Sequence, residues 1–125
     1  THRGSSAASD VYKRQAIGGE PETDGFDSSD MWQRAMIGHS AQNQVPVIAS
    51  NRIGTEQGID NSNYFYGRSF ITNHVGDNIA EADRETQHVL IGELDLKEAE
   101  TLRNVWGIFR DRRPDLYSTL MSVDG

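Results

Sequence analysis

The 125-residue sequence contains no cysteine, which excludes disulfides and thiolate chemistry within the chain itself. It also lacks an excess of positive charge, since 12 lysines and arginines stand against 19 acids for a net charge of −7. That balance argues against a nucleic-acid partner and suits ordinary solubility. No apolar run approaches the roughly 18 residues of a membrane span, and there is no signal-peptide core. Metal-ligand spacing is missing too. His2, His39, His74 and His88 are scattered, and no H-E-x-x-H occurs. The acids Glu20, Glu22, Asp24, Asp27 and Asp30 do not follow the alternating oxygens of a calcium loop. There is no G-x-S-x-G elbow, and no glycine loop placed to cradle phosphate between a strand and a helix.

What is present centres on residues 45–94. Val45-Pro46-Val47-Ile48-Ala49-Ser50-Asn51 is a short apolar run ending in polar residues. Tyr64-Phe65-Tyr66-Gly67-Arg68-Ser69-Phe70-Ile71 alternates with period two and predicts one continuous strand. Within it Ser69 suits packing and not nucleophilic attack. His74-Val75-Gly76-Asp77 reads as a turn, with Gly76 free to take positive φ. Asn78-Ile79-Ala80-Glu81-Ala82 returns, and residues 88–94 (HVLIGEL) supply a fourth β-rich run. Four such runs predict a sheet.

Two helices flank it. Ser28 or Ser29 is placed to cap the first, with Asp30 in its first turn. Met31, Trp32, Ala35, Met36 and His39 recur at helical spacing, so a buried stripe is expected, with His39 a hydrogen-bonded core histidine. Pro46 limits this helix. For the second, Asp95 and Glu98 resemble a capping box, Leu96, Ala99, Leu102, Val105 and Trp106 form the stripe, and Gly107 is the stop. Arg110, Arg112 and Arg113 lie beside Asp111 and Asp115, a pattern of local salt bridges. A short helical tail follows Pro114.

Length allows one domain. The sequence starts at Thr1 and not at methionine, and is read as a piece of a longer protein. Residues 1–15 are small, polar and without periodicity. They are expected to lack regular structure and look like a leader left by cloning or sequencing. Up to this point the residues describe an α/β layer without a nucleophile, open to a non-catalytic interaction role.

Ala16-Ile17-Gly18-Gly19-Glu20-Pro21 and Trp32-Gln33-Arg34-Ala35-Met36-Ile37-Gly38-His39-Ser40-Ala41 resemble the nitrilase (carbon–nitrogen hydrolase) superfamily. So do Val45 to Gly54, Phe65 to Ile71 and Gly76 to Ala82. The ending Trp106-Gly107-Ile108-Phe109-Arg110-Asp111-Arg112-Arg113-Pro114-Asp115-Leu116-Tyr117 is similar to members that hydrolyse a carbamoylated diamine. The resemblance implies an α-β-β-α sandwich, of which residues 16–125 would be the truncated C-terminal part. It implies a cytoplasmic amidohydrolase, homo-oligomeric, with a small-molecule substrate and no cofactor, nucleic acid or membrane.

The implied machinery is a Glu–Lys–Cys set in which cysteine attacks the carbamoyl carbon, glutamate moves protons and lysine supports the developing charge. All three would lie upstream of Ala16, so this chain is expected to hold no catalytic residue. By the same resemblance Glu20 faces the substrate's distal amine, and Ala16 and Ile17 lie along its alkyl chain. A carboxylate there favours an ammonium end over a carboxylate end. From the residues alone, Glu20 is the first acid of an acidic loop. Gly19 stands where the family usually has serine, which predicts a looser loop. Another carbon–nitrogen hydrolase, acting on a carbamoyl amino acid or an ω-amide, remains the alternative within the class.

Overall fold

The run that follows Pro46 becomes the strand on which the others assemble. In the computed structural model, residues 11–19 and 25–121 are described. Strand β1 (Val11–Gln15) runs parallel to β2 (Val47–Asn51), and helix α1 (Ser29–Asn43) lies between them in sequence. On its other side β2 pairs antiparallel with β5 (Phe70–Thr72), which pairs with β6 (Asn78–Glu81). The order of this sheet is thus β1-β2-β5-β6. A separate hairpin joins β3 (Ile53–Gln57) to β4 (Ser62–Tyr66). Residues 11–15, expected to lack regular structure, form a strand because β2 offers them an open edge whose backbone groups need partners.

The core lies between α1 and one face of the sheet. Val47 and Ala49, two apart on β2, share that face, and Phe70 pairs with Ala49. Trp32 covers them, with its ring edge-on to Phe70 at 5.6 Å and tilted on Tyr66 at 6.0 Å. Met36 and Ile37 close the edge. The stripe expected on α1 is displaced by this choice. Ser29, Trp32, Gln33 and Ser40 are buried, whereas Met31, Ala35 and His39 are exposed. His39 is therefore not a core histidine. Ser40 can occupy the inner face because it is hydrogen-bonded: its buried hydroxyl donates to the Val45 carbonyl at 2.8 Å.

Two other expectations fail for physical reasons. The alternating run from Tyr64 to Ile71 is broken at Gly67 and Arg68, both at positive φ (62° and 59°), so it serves two sheets. Residues 88–94 form no strand. Val89 and Ile91 are 89% and 87% exposed, and among the described residues no strand pairs with them. Gly92 passes so close to Ile71 that an added Cβ would meet its side chain at 3.3 Å.

Helix α2 (Leu96–Trp106) is capped as expected. Asp95 accepts from the Glu98 N–H at 2.8 Å, and Gly107 ends the helix at φ 63°. Its apolar stripe is not buried, however. Ala99 is its one buried residue, and Leu96, Val105 and Trp106 stand in the open. Arg103 ties it to the end of α1 by donating to the Gln44 carbonyl at 3.1 Å. Beyond Gly107, Arg110 pairs with Asp111 and Arg113 with Asp115, each at 2.7 Å. The tail is two short 3-10 turns, Pro114–Leu116 and Ser118–Met121.

A polar hub joins the start of α1 to the break between β4 and β5. Asp27, not Ser28, supplies the helix-start acceptor, taking the Ser29 N–H at 2.9 Å. Arg84 donates to Asp27 at 2.5 Å and to the Ser29 hydroxyl at 2.6 Å. Arg68 bonds Asp30, Glu81 at 3.0 Å and Gln33 at 2.6 Å. Burial alone would pull the Arg68 pKa down, but the Asp30 and Glu81 carboxylates outweigh it and hold it up. Asp27 is lowered from 3.8 to about 2, first by the Ser29 hydroxyl and then by Arg84 and the Ser29 N–H.

A depressed carboxyl binds fewer protons folded than unfolded. Its stabilisation is complete above the ordinary value of 3.8 and is lost as pH falls through about 2. Carboxyl carbon titration by NMR is expected to give Asp27 a midpoint near 2. Ser29→Ala and Arg84→Met should each move it upward. A midpoint near 3.8 in the unaltered protein would show that the hub does not form.

Candidate functional site

Asn51 closes β2, and beyond it the backbone turns away into the hairpin. The segment after β1 therefore loses its ladder partner, and side chains take over. Asn51 Oδ1 accepts the Ile17 N–H at 3.0 Å. Asn51 Nδ2 donates to the Ile17 carbonyl and to the Gly67 carbonyl, both at 2.9 Å. The next peptide crosses to β4: Gly18 bridges Phe65, and Gly19 N–H donates to the Tyr64 carbonyl at 2.8 Å. Gly19 is thus held by its backbone, and the rest of the loop expected to be looser lies outside the described residues.

Ala16, Ile17, Gly18 and Gly19 line a cleft of about 550 Å³ together with Arg52, Glu56, Asn63, Tyr64 and Phe65. Arg52 stacks 4.5 Å above the Phe65 ring and pairs with Glu56 at 2.5 Å, so the described lining pairs a cation with an anion. Two of the three expected site residues, Ala16 and Ile17, are in this lining. Glu20 lies outside the described residues. Arg52 and Phe65, which line the cleft, and Asn51, which bonds Ile17 beside it, were not singled out from the sequence. The available signal was a polar residue closing an apolar run, which marks a strand end needing a partner.

A second cluster invites a catalytic reading and does not support one. Asp83, Thr86 and His88 bond one another at 2.6–2.8 Å. A relay would use one imidazole nitrogen for the acid and the other for the nucleophile. Here both contacts fall on His88 Nε2, giving a closed ring. His88, then Thr86, hold the Asp83 carboxyl well below the usual carboxylate range. Ser69, likewise, uses its hydroxyl on Asn51, accepting that residue's N–H at 2.9 Å. Among the described residues no group of three or more His, Asp or Glu is placed to hold a metal ion. No helix among them is long and apolar enough to cross a membrane.

A family model described as carbon-nitrogen hydrolase matches residues 25–104. The chain belongs to the carbon-nitrogen hydrolase family. A citrullinase of Francisella tularensis is 51% identical over 106 residues, covering 85% of this chain and 37% of the relative. An N-carbamoylputrescine amidase of Arabidopsis thaliana is 49% identical over 120 residues, covering 92% and 40%. The crystal structure of a carbon-nitrogen hydrolase from Helicobacter pylori G27 superimposes with a TM-score of 0.77 at 32% identity, over 86% of this chain and 39% of that one. The chain therefore spans about two-fifths of the length of these relatives. Its fold is part of the nitrilase-like α/β domain expected from the residues that carried the resemblance.

Proposed function

We propose that the whole protein hydrolyses N-carbamoylputrescine to putrescine, carbon dioxide and ammonia, consuming water in a step of polyamine synthesis. Residues 16–125 are read as the C-terminal part of its catalytic domain. The observation that carries the reading is the wall of the cleft. Ala16 and Ile17 border it, Ile17 packing also against the core, and the segment leads directly into Glu20, whose carboxylate suits the distal ammonium. Similarity to the Arabidopsis amidase across nearly the whole chain supports the same substrate. The nucleophilic cysteine, the proton-moving glutamate and the lysine belong to the part upstream of Ala16.

A second reading has its own support. Citrulline presents a carbamoyl group at one end and both an ammonium and a carboxylate at the other, and a citrullinase is among the similar proteins. Arg52 faces the same cleft, but Glu56 already neutralises it, which favours the diamine.

Ammonia release by the full-length protein tests the choice. N-carbamoylputrescine is expected to be turned over at least about tenfold faster than L-citrulline, since the carboxylate of citrulline would meet Glu20 unpaired. Faster citrulline hydrolysis would overturn the diamine reading. The 125-residue chain alone, without a cysteine, is expected to release no ammonia above the buffer rate. Release in proportion to added chain would place the nucleophile inside it.

A further inference from the structure

The parallel ladder between β1 and β2 ends at the pair Gln15 and Asn51. Two residues later Ile17 still presents an N–H and a carbonyl, and both find partners on one side chain, that of Asn51. The amide thus imitates the edge of a strand, accepting with Oδ1 and donating with Nδ2. A second donation from Nδ2 reaches the Gly67 carbonyl at 2.9 Å, at the positive-φ break between β4 and β5. Two carbonyls meet one end of the amide and an N–H meets the other, so a single orientation satisfies all three bonds. Asn51 is itself anchored. Its N–H donates to the Ser69 hydroxyl at 2.9 Å, and that hydroxyl points back to the Asn51 carbonyl at 3.3 Å.

We infer that Asn51 is a positioning residue of the substrate cleft, fixing the Ile17 backbone and with it the wall formed by Ala16 and Ile17. The inference rests on the reading of that wall as the track of the substrate's alkyl chain. Asn51 does not itself line the cleft. It acts through Ile17, and its three bonds tie the end of β2 to Ile17 and to the Gly67 break. Aspartate has the same shape and cannot replace it: the carboxylate keeps the acceptor but turns an oxygen toward two carbonyl oxygens. Alanine removes all three bonds and leaves the Ile17 groups without partners.

The test uses the full-length protein with Asn51→Ala and Asn51→Asp, assayed on N-carbamoylputrescine and on the uncharged butylurea. Losing these bonds is expected to raise KM for N-carbamoylputrescine by at least about tenfold, with kcat within about threefold of the unaltered enzyme. Asn51→Asp should be no better than Asn51→Ala. Amide exchange at Ile17 should accelerate by about tenfold or more, while the Val47 amide, held by the buried Thr72 hydroxyl at 3.1 Å, keeps its rate.

An aspartate variant that behaves as wild type would overturn the inference. So would a fall in kcat alone, or equal acceleration at Ile17 and Val47, which would mark a general loss of stability. If the unaltered enzyme prefers citrulline, the substrate reading fails. The same KM and exchange measurements, made on citrulline, then still decide for or against Asn51.

Discussion

Gly18→Ala is expected to be the most damaging glycine-to-alanine change among the described residues. A Cβ at Gly18 would lie 1.8 Å from the Tyr64 carbonyl oxygen and 2.8 Å from its carbon. Both are backbone atoms of β4, so no flexible side chain can yield. Relief requires parting the bridge between Gly18 and Phe65 and the bond from Gly19 to Tyr64. Overpacking of this kind costs about 3 kcal/mol or more when the backbone must move. At this size that corresponds to a Tm lower by on the order of 10 °C. The neighbouring Gly19 is the control, since nothing lies within 4 Å of its added Cβ. Gly19→Ala or Gly19→Ser should leave Tm within about 1 °C, as surface changes do. Equal effects at the two positions would mean that residues 16–19 do not lie against β4.

Glu20→Gln in the full-length protein should produce the largest change in substrate choice. The substitution keeps the shape and removes the charge proposed to meet the distal ammonium. Truncating one partner of a buried charge pair costs about 2–5 kcal/mol. The kcat/KM for N-carbamoylputrescine should thus fall by roughly tens to thousands of fold. Butylurea, with no ammonium, should lose little. Equal losses on both substrates would assign Glu20 to support of the loop.

The two glycine neighbours also show what is legible in a sequence and what is not. Local chemistry read well: the Asp95 cap, the Gly107 stop and the short-range Arg–Asp pairs each depend on residues a few positions apart. The Val47–Asn51 strand was visible because burial on the helix side writes an apolar run. Features set by distant partners were hidden. Alternation continues unbroken through Gly67 and Arg68 because side-chain period does not encode φ, and Arg68 is kept at positive φ in a setting where Asp30, Gln33 and Glu81 hold its side chain. Strand β3 is nearly all exposed and so has no pattern to read. On α1 the buried positions include Gln33 and Ser40, which a hydrophobic stripe passes over.

The candidate site was read in a similarly uneven way. Ala16 and Ile17 were placed by resemblance, and both stand on the cleft. Asn51 was passed over because the bonds that single it out run to Ile17 and Gly67, 34 and 16 residues away. No short motif contains that relation.

The uneven burial of the two helices has an optical consequence. Trp32 is 8% exposed and wedged between aromatic rings, whereas Trp106, on the open face of α2, is 65% exposed. Indole emission from this chain therefore carries two signals that a dissolved quencher such as iodide separates: a shielded one from beneath α1 and an accessible one from α2. Shielding of the accessible signal in the full-length protein would register the arrival of whatever covers α2, without any label having been added.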